Sequence, residues 1–119
     1  MASLPNSDRA LIDERKLIEH ALNPGHPRGG DKARQFAAAL GYDRSNSDIL
    51  VAQMRKALGA HEAVLVRQDG YGRHYRVDLT LAGPRGKAQI RTGWLIDRGS
   101  DVPRLTTAYV LRRSGRTRR

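Results

Sequence analysis

The hydrophobic period of this chain changes at Gly59, and that change limits what it can fold into more than any other feature. Before Gly59, apolar residues recur at helical spacing, and after it they alternate as in strands. DERKLIEHAL (13–22) puts Leu17, Ile18 and Leu22 on one stripe, and Asn23-Pro24-Gly25 stops it. A second helix is predicted from Asp31, a sensible N-cap, to Leu40, burying Ala33, Phe36, Ala37 and Leu40 and closing at Gly41. Ser45 and Asp48 have capping-box spacing for a third, with a stripe of Leu50, Val51, Met54, Ala57 and Leu58 and a stop at Gly59.

Four strands are predicted beyond that point: 62–68, 73–83, 87–97 and 104–111. Asp69-Gly70 ends the first, and Gly83-Pro84-Arg85-Gly86 turns the second into the third. Tyr75, Val77, Leu79 and Leu81 share one face, and His74, Arg76, Asp78 and Thr80 the other. In the third strand Ile90, Trp94 and Ile96 oppose Arg91, Gly93 and Leu95. Short turns between alternating strands imply an antiparallel meander. The expected fold is therefore α+β, with three N-terminal helices packed on one face of a four-stranded antiparallel sheet. Residues 1–12 form an entry segment with little to pack beyond Leu4, Leu11 and Ile12. Residues 13–111 are the domain, and 112–119 an Arg-rich tail.

The chain carries a net charge of +10, and apart from Lys16, Lys32, Lys56 and Lys87 its basic residues are all arginine. Discounting Arg112, Arg113, Arg116, Arg118 and Arg119 of the tail takes five from ten and leaves a body of +5. Arginine favours bidentate contact with phosphate, so a polyanion is the natural partner, nucleic acid ahead of an anionic membrane surface or an acidic protein. There are no cysteines, which excludes disulfides and thiolate metal sites. No run of apolar residues is long enough to span a membrane, and the N-terminus does not read as a signal peptide, so a cytoplasmic location, or delivery into a target cell's cytoplasm, is expected.

The stretch NPGHPRGGDKARQF (23–36) is the main site candidate. Lys32 falls in the first turn of the second helix, where a cation costs a few tenths of a kcal/mol to about 1 kcal/mol. An anion bound at that helix start would reverse the sign, because Lys32 and the free backbone N–H groups would converge on it. Pro27 holds the backbone of His26 extended, and a fixed histidine beside a phosphate is suited to acid–base work. A surface lysine and a structural histidine are the plain alternatives. Spacing for a metal site is lacking, and no cofactor is expected. On the polar sheet face His74, Arg76 and Arg91 form a platform for phosphate, joined by Thr106 or Thr107 according to register. Tyr75 and Trp94 read first as core aromatics and second as stacking partners for a base.

KLIEHALNPGHPRGGDKARQFAAALGY, YGRHYRV, GPRGKAQIRTGWLI and PRLTTAYV together resemble a bacterial domain family. Its pattern is an H-P-x-G-x-x-K-A junction, a Y-G-x-x-Y strand, a T-x-W strand and a closing R-L-x-T-A-Y strand, spanning about residues 11–110. That family is similar in turn to the barnase–EndoU–colicin–RelE ribonuclease toxins. The resemblance implies a barnase- or RelE-like fold and metal-independent RNA cleavage, in which the ribose 2′-OH attacks the adjacent phosphate. Under it His26 serves as base or acid, Lys32 and Arg91 clamp phosphate, and Thr107 or Tyr109 orients it. Arg28, His74, Arg76, Tyr75 and Trp94 would contact substrate. Arg91 is not one of the pattern's motif positions and rests on its sheet face alone. The implied partners are RNA, tRNA among the candidates, and a small acidic antitoxin or immunity protein. A non-catalytic nucleic-acid-binding module, or an interaction protein of a toxin or phage system, would share the same charge.

Overall fold

A computed structural model describes residues 2–23, 25 and 30–113. The protein is an α+β domain whose sheet runs in the order β1-β2-β3-β4, every neighbour antiparallel. The strands are β1 (Ala63–Asp69), β2 (Gly72–Gly83), β3 (Gly86–Asp97) and β4 (Pro103–Arg113). Helix α2 (Gly30–Ala39) lies against β4, and α3 (Ser47–Leu58) against β2.

Between these layers sits the core. Val77, Leu79, Leu81, Ile90, Trp94, Ala108 and Val110 of the sheet meet Phe36, Leu40, Leu50, Met54 and Leu58 of the helices. Fully burying a side chain such as Phe36 or Leu50 contributes about 1.5–3 kcal/mol relative to leaving it in water. Ala33, Phe36, Leu40, Leu50, Met54 and Leu58 are buried as the periodicity places them, Val51 and Ala57 pack at the core's edge, and Ala39 rather than Ala37 is buried on α2.

Three local details depart from expectation. The first helix is a short α-helical turn, α1 (Glu14–Lys16), that continues as a π-helical turn over Leu17–Ala21. The wider winding is closed by the Leu22 N–H donating to the Leu17 carbonyl at 2.9 Å, and it sets both leucines into the core. The capping box before α3 is built by Asp43 and Asn46, not by Ser45 and Asp48. The Asp43 carboxylate accepts from Ser45 N–H, and Asn46 Oδ1 accepts from Asp43 N–H. Asp31 lies inside α2, which begins one residue earlier at Gly30.

The entry segment does more than pack Leu4. Leu4 and Ala10 are buried, while Leu11 is exposed and acts through its backbone. Leu11 N–H donates to the Pro103 carbonyl at 2.8 Å, and Leu105 N–H to the Leu11 carbonyl at 2.9 Å, adding one parallel bridge to β4. At its other end the Ala2 carbonyl accepts from Ala63 N–H at the start of β1. Residues 2–11 therefore tie the first strand to the last.

The tip of the β2–β3 hairpin is clamped beneath the C-terminus of α2. Arg85 N–H donates to the Leu40 carbonyl at 2.9 Å, and the Tyr42 hydroxyl to the Ala82 carbonyl at 2.7 Å. Gly41 takes φ +83°, so its N–H turns back to Phe36 and Ala37 and closes the helix.

One buried polar group explains the T-x-W spacing. Thr92 is fully buried on the helix-facing side of β3. Its hydroxyl donates to the Val77 carbonyl at 2.6 Å and accepts the Trp94 indole N–H at 2.7 Å. Every polar atom of the pair is thereby satisfied inside the core. Thr92→Val keeps the shape and strands the indole N–H. A loss of about 1–2 kcal/mol in urea unfolding is expected, with the m-value unchanged. An unchanged midpoint would show that the hydroxyl carries no weight.

Candidate functional site

The helices cover one face of the sheet. On the other, register puts Arg91 of β3 between Asp78 of β2 and Tyr109 of β4, and Gly93 between Arg76 and Thr107. A bulge between Gly93 and Trp94 makes Thr107, not Thr106, the residue opposite Gly93. Both threonines lean over the glycine. A Cβ at Gly93 would sit 2.8 Å from Thr107 Cγ2 and 3.2 Å from Thr106 Oγ1.

Across this face runs a chain of polar contacts. Arg91 Nε donates to Asp78 Oδ1 at 2.9 Å and Nη2 to Oδ2 at 3.0 Å, a bidentate pair with both side chains about 30% exposed. The Arg91 guanidinium holds the Asp78 carboxyl below the usual carboxylate range, with a smaller push from Arg76. Asp78 in turn raises the pKa of Arg91, and Tyr109 stands opposite Arg91 on β4.

Lys32 completes the chain from the helix layer. From the first turn of α2 its Nζ reaches within 3.5 Å of Thr107 Oγ1 and lies 5.4 Å from the centre of the Tyr109 ring. That is cation–π distance. Among the described side chains, that of Asp31 not being one of them, no carboxylate lies within ion-pair distance of this half-buried ammonium. Among the described side chains, Asp78 is the one carboxylate beside Lys32, Arg76 and Arg91, which leaves a surplus of positive charge there.

Lys32, Arg91, Thr107 and Tyr109 thus come together from α2, β3 and β4. His26 and Arg28 lie outside the described residues, as do Arg116, Arg118 and Arg119 of the tail. Arg76 is next to the cluster. His74 belongs to another pairing: its Nε2 lies 3.0 Å from both Asp69 carboxylate oxygens near the β1–β2 turn. The His74 bond holds Asp69 down at about 2, helped by the Tyr71 N–H and Arg67. Trp94 is a core residue and not a substrate contact. It is 1% exposed, with its indole N–H spent on Thr92. Tyr75 packs against the core, its hydroxyl 3.4 Å from Arg73 Nη1. Leu95, on the polar face by alternation, is buried.

Sequence reasoning passed over the salt-bridge partner Asp78 and the role of His61. Asp78 had a signal, since it alternates in step with Arg76. His61 is structural. Thr80 N–H donates to its Nε2 at 3.2 Å, so the hydrogen sits on Nδ1, 2.8 Å from the Ala57 carbonyl. It caps the β2 edge beyond Val77, the last β2 residue paired with β1. No cluster of His, Asp or Glu that could hold a metal ion occurs among the described residues.

Fold and cluster together define a small basic α+β domain with a cation-lined polar sheet face. The chain belongs to the family described as Domain of unknown function (DUF6883), whose model matches residues 3–112. No curated protein and no solved structure matches it.

Proposed function

We propose that the protein is a metal-independent endoribonuclease whose site is the Lys32–Arg91–Thr107–Tyr109 cluster. One observation carries the reading: a half-buried lysine between a hydroxyl and an aromatic face, in one cluster with a fixed arginine. Such an arrangement stabilises an anion, and a phosphodiester brings the charge and acceptor oxygens to use it. In the reaction, the ribose 2′-oxygen loses its proton and attacks the adjacent phosphorus. The P–O5′ bond breaks, leaving a 2′,3′-cyclic phosphate, and the departing oxygen takes up a proton. Lys32 and Arg91 stabilise the extra charge of the transition state. Thr107 and Tyr109 orient the phosphate, and His26 moves the proton.

The chain's charge of +10 supports a bacterial toxin acting on cytoplasmic RNA and neutralised by a small acidic antitoxin or immunity protein. No helix among the described residues is long and apolar enough to cross a membrane. Incubation with total RNA and with tRNA in EDTA tests the reading. The parent is expected to cleave, giving 2′,3′-cyclic phosphate ends, and His26→Ala to lose at least about 100-fold in rate. Intact RNA with salt-sensitive binding would make this a non-catalytic nucleic-acid module.

A further inference from the structure

The two edges of the sheet differ. β4 is covered by α2 and bridged by Leu11, and Lys32 reaches two of its side chains. β1 has β2 on one side and, among the described residues, no strand on the other. From Val64 to Asp69 every residue of β1 is exposed, Val64 at 40%, Leu65 at 49% and Val66 at 55%. Three consecutive β-branched or aliphatic side chains on an open edge present apolar surface on both faces and backbone groups between them. That is a template for strand addition. The edge already takes one extended segment at its start, where the Ala2 carbonyl accepts from Ala63 N–H.

We propose that the outer edge of β1 is a docking site for an extended acidic segment of another protein, which adds as a fifth strand beside it. Charge selects this occupant. Arg67 on β1, with Arg73 and Arg76 on β2 opposite Gln68 and Val64, outnumber Glu62 and Asp69, and Asp69 is already held by His74 and Arg67. A second copy of the chain fits less well. It would bring a charge of +10 against +10, and its own rigid bulge between Leu65 and Arg67 against the same bulge here. A flexible segment follows the bulge and supplies carboxylates to the arginines. Its alternate apolar side chains fall on one face and cover Leu65, and its carboxylates fall on the other beside Arg67 and Arg76. The inference names the surface for the acidic partner of the proposed function, and it stands on the edge and its charge, not on RNA cleavage.

The test uses the full chain and a blocked eight-residue peptide of alternating Glu and Val, read by backbone amide NMR and fluorescence anisotropy. Saturable one-to-one binding is expected, with shifts centred on Val64–Gln68. The Val64→Ser/Leu65→Ser double variant, whose own amide spectrum reports that it is folded, is expected to bind more than tenfold more weakly. So is a peptide of the same composition with two central residues replaced by proline. Shifts centred on Lys32, Arg91 and Tyr109 would overturn the site while leaving an acidic partner of the polar face intact. Equal binding of the proline peptide would reduce the effect to bulk charge and overturn strand addition. No binding, or a dimer in sedimentation that Val64→Ser/Leu65→Ser dissolves, would also overturn it.

Discussion

Lys32→Ala is expected to weaken RNA binding about 10- to 100-fold and to leave Tm within about 2 °C of the parent. The estimate follows from one charge-assisted contact, about 1.5–3 kcal/mol, at about 1.4 kcal/mol per tenfold. The fold should survive because Lys32 meets Thr107 at 3.5 Å and the Tyr109 ring at 5.4 Å, contacts too loose to hold α2 on β4. Ala33, Phe36, Ala39 and Leu40 hold it instead. If the ammonium contacts phosphate, the salt dependence of binding also falls by about 0.7 in log–log slope for single-stranded RNA. Lys32→Arg should retain much of the affinity. A variant that melts early, or one that binds RNA as the parent does, would move Lys32 out of the site and into the scaffold.

Gly83→Ala is expected to cost about 3 kcal/mol, a fall in Tm of roughly 10 °C by thermal denaturation. A methyl group there would sit 2.3 Å from the Leu40 carbonyl oxygen and 2.9 Å from Tyr42 Cε2. Neither neighbour can yield. The Leu40 carbonyl is the acceptor for Arg85 N–H, and the Tyr42 ring is pinned by its hydroxyl on Ala82. The backbone must therefore open where α2 meets the β2–β3 hairpin. A Tm within a degree of the parent would mean that the hairpin tip shifts freely and that the clamp is not rigid. Gly70→Ala, with no atom within 4 Å of the added carbon, is the matched control.

Period and punctuation made most of the architecture legible. The stripes of α2 and α3, the strands and the meander all follow from spacing and from where Gly, Pro, Asn and Asp fall, because local geometry alone decides which side of an element is apolar. The first helix lies where the spacing puts it, but its winding is invisible to composition. Leu17, Ile18 and Leu22 suit an α-helical stripe, yet a π turn buries Leu17 and Leu22 equally well. Alternation puts Trp94 in the core, where it lies, and fails at Leu95, which is buried on the polar face; it also does not say why a threonine, Thr92, shares the core face. A threonine counts as polar until a carbonyl and an indole are found on either side of it. A bulge after Gly93 shifts the pairing of β3 with β4. In the site, Lys32 stood out by being wrongly charged for its helix position, and Arg91 by its sheet face. That they meet at Tyr109 depends on register across three strands, and register is a property of pairs, not of any one segment.

The cluster joins residue 32 to residues 107 and 109, and the strap joins residue 11 to residues 103 and 105. Order of synthesis therefore matters to this protein. While β4 is still within the ribosome, Lys32 has neither its hydroxyl nor its aromatic partner, and the segment at Leu11 has nothing to pair with. A chain interrupted before residue 107 carries the basic charge of its helices and first strands but no assembled cluster. The last strand to be made both closes the fold and completes the site.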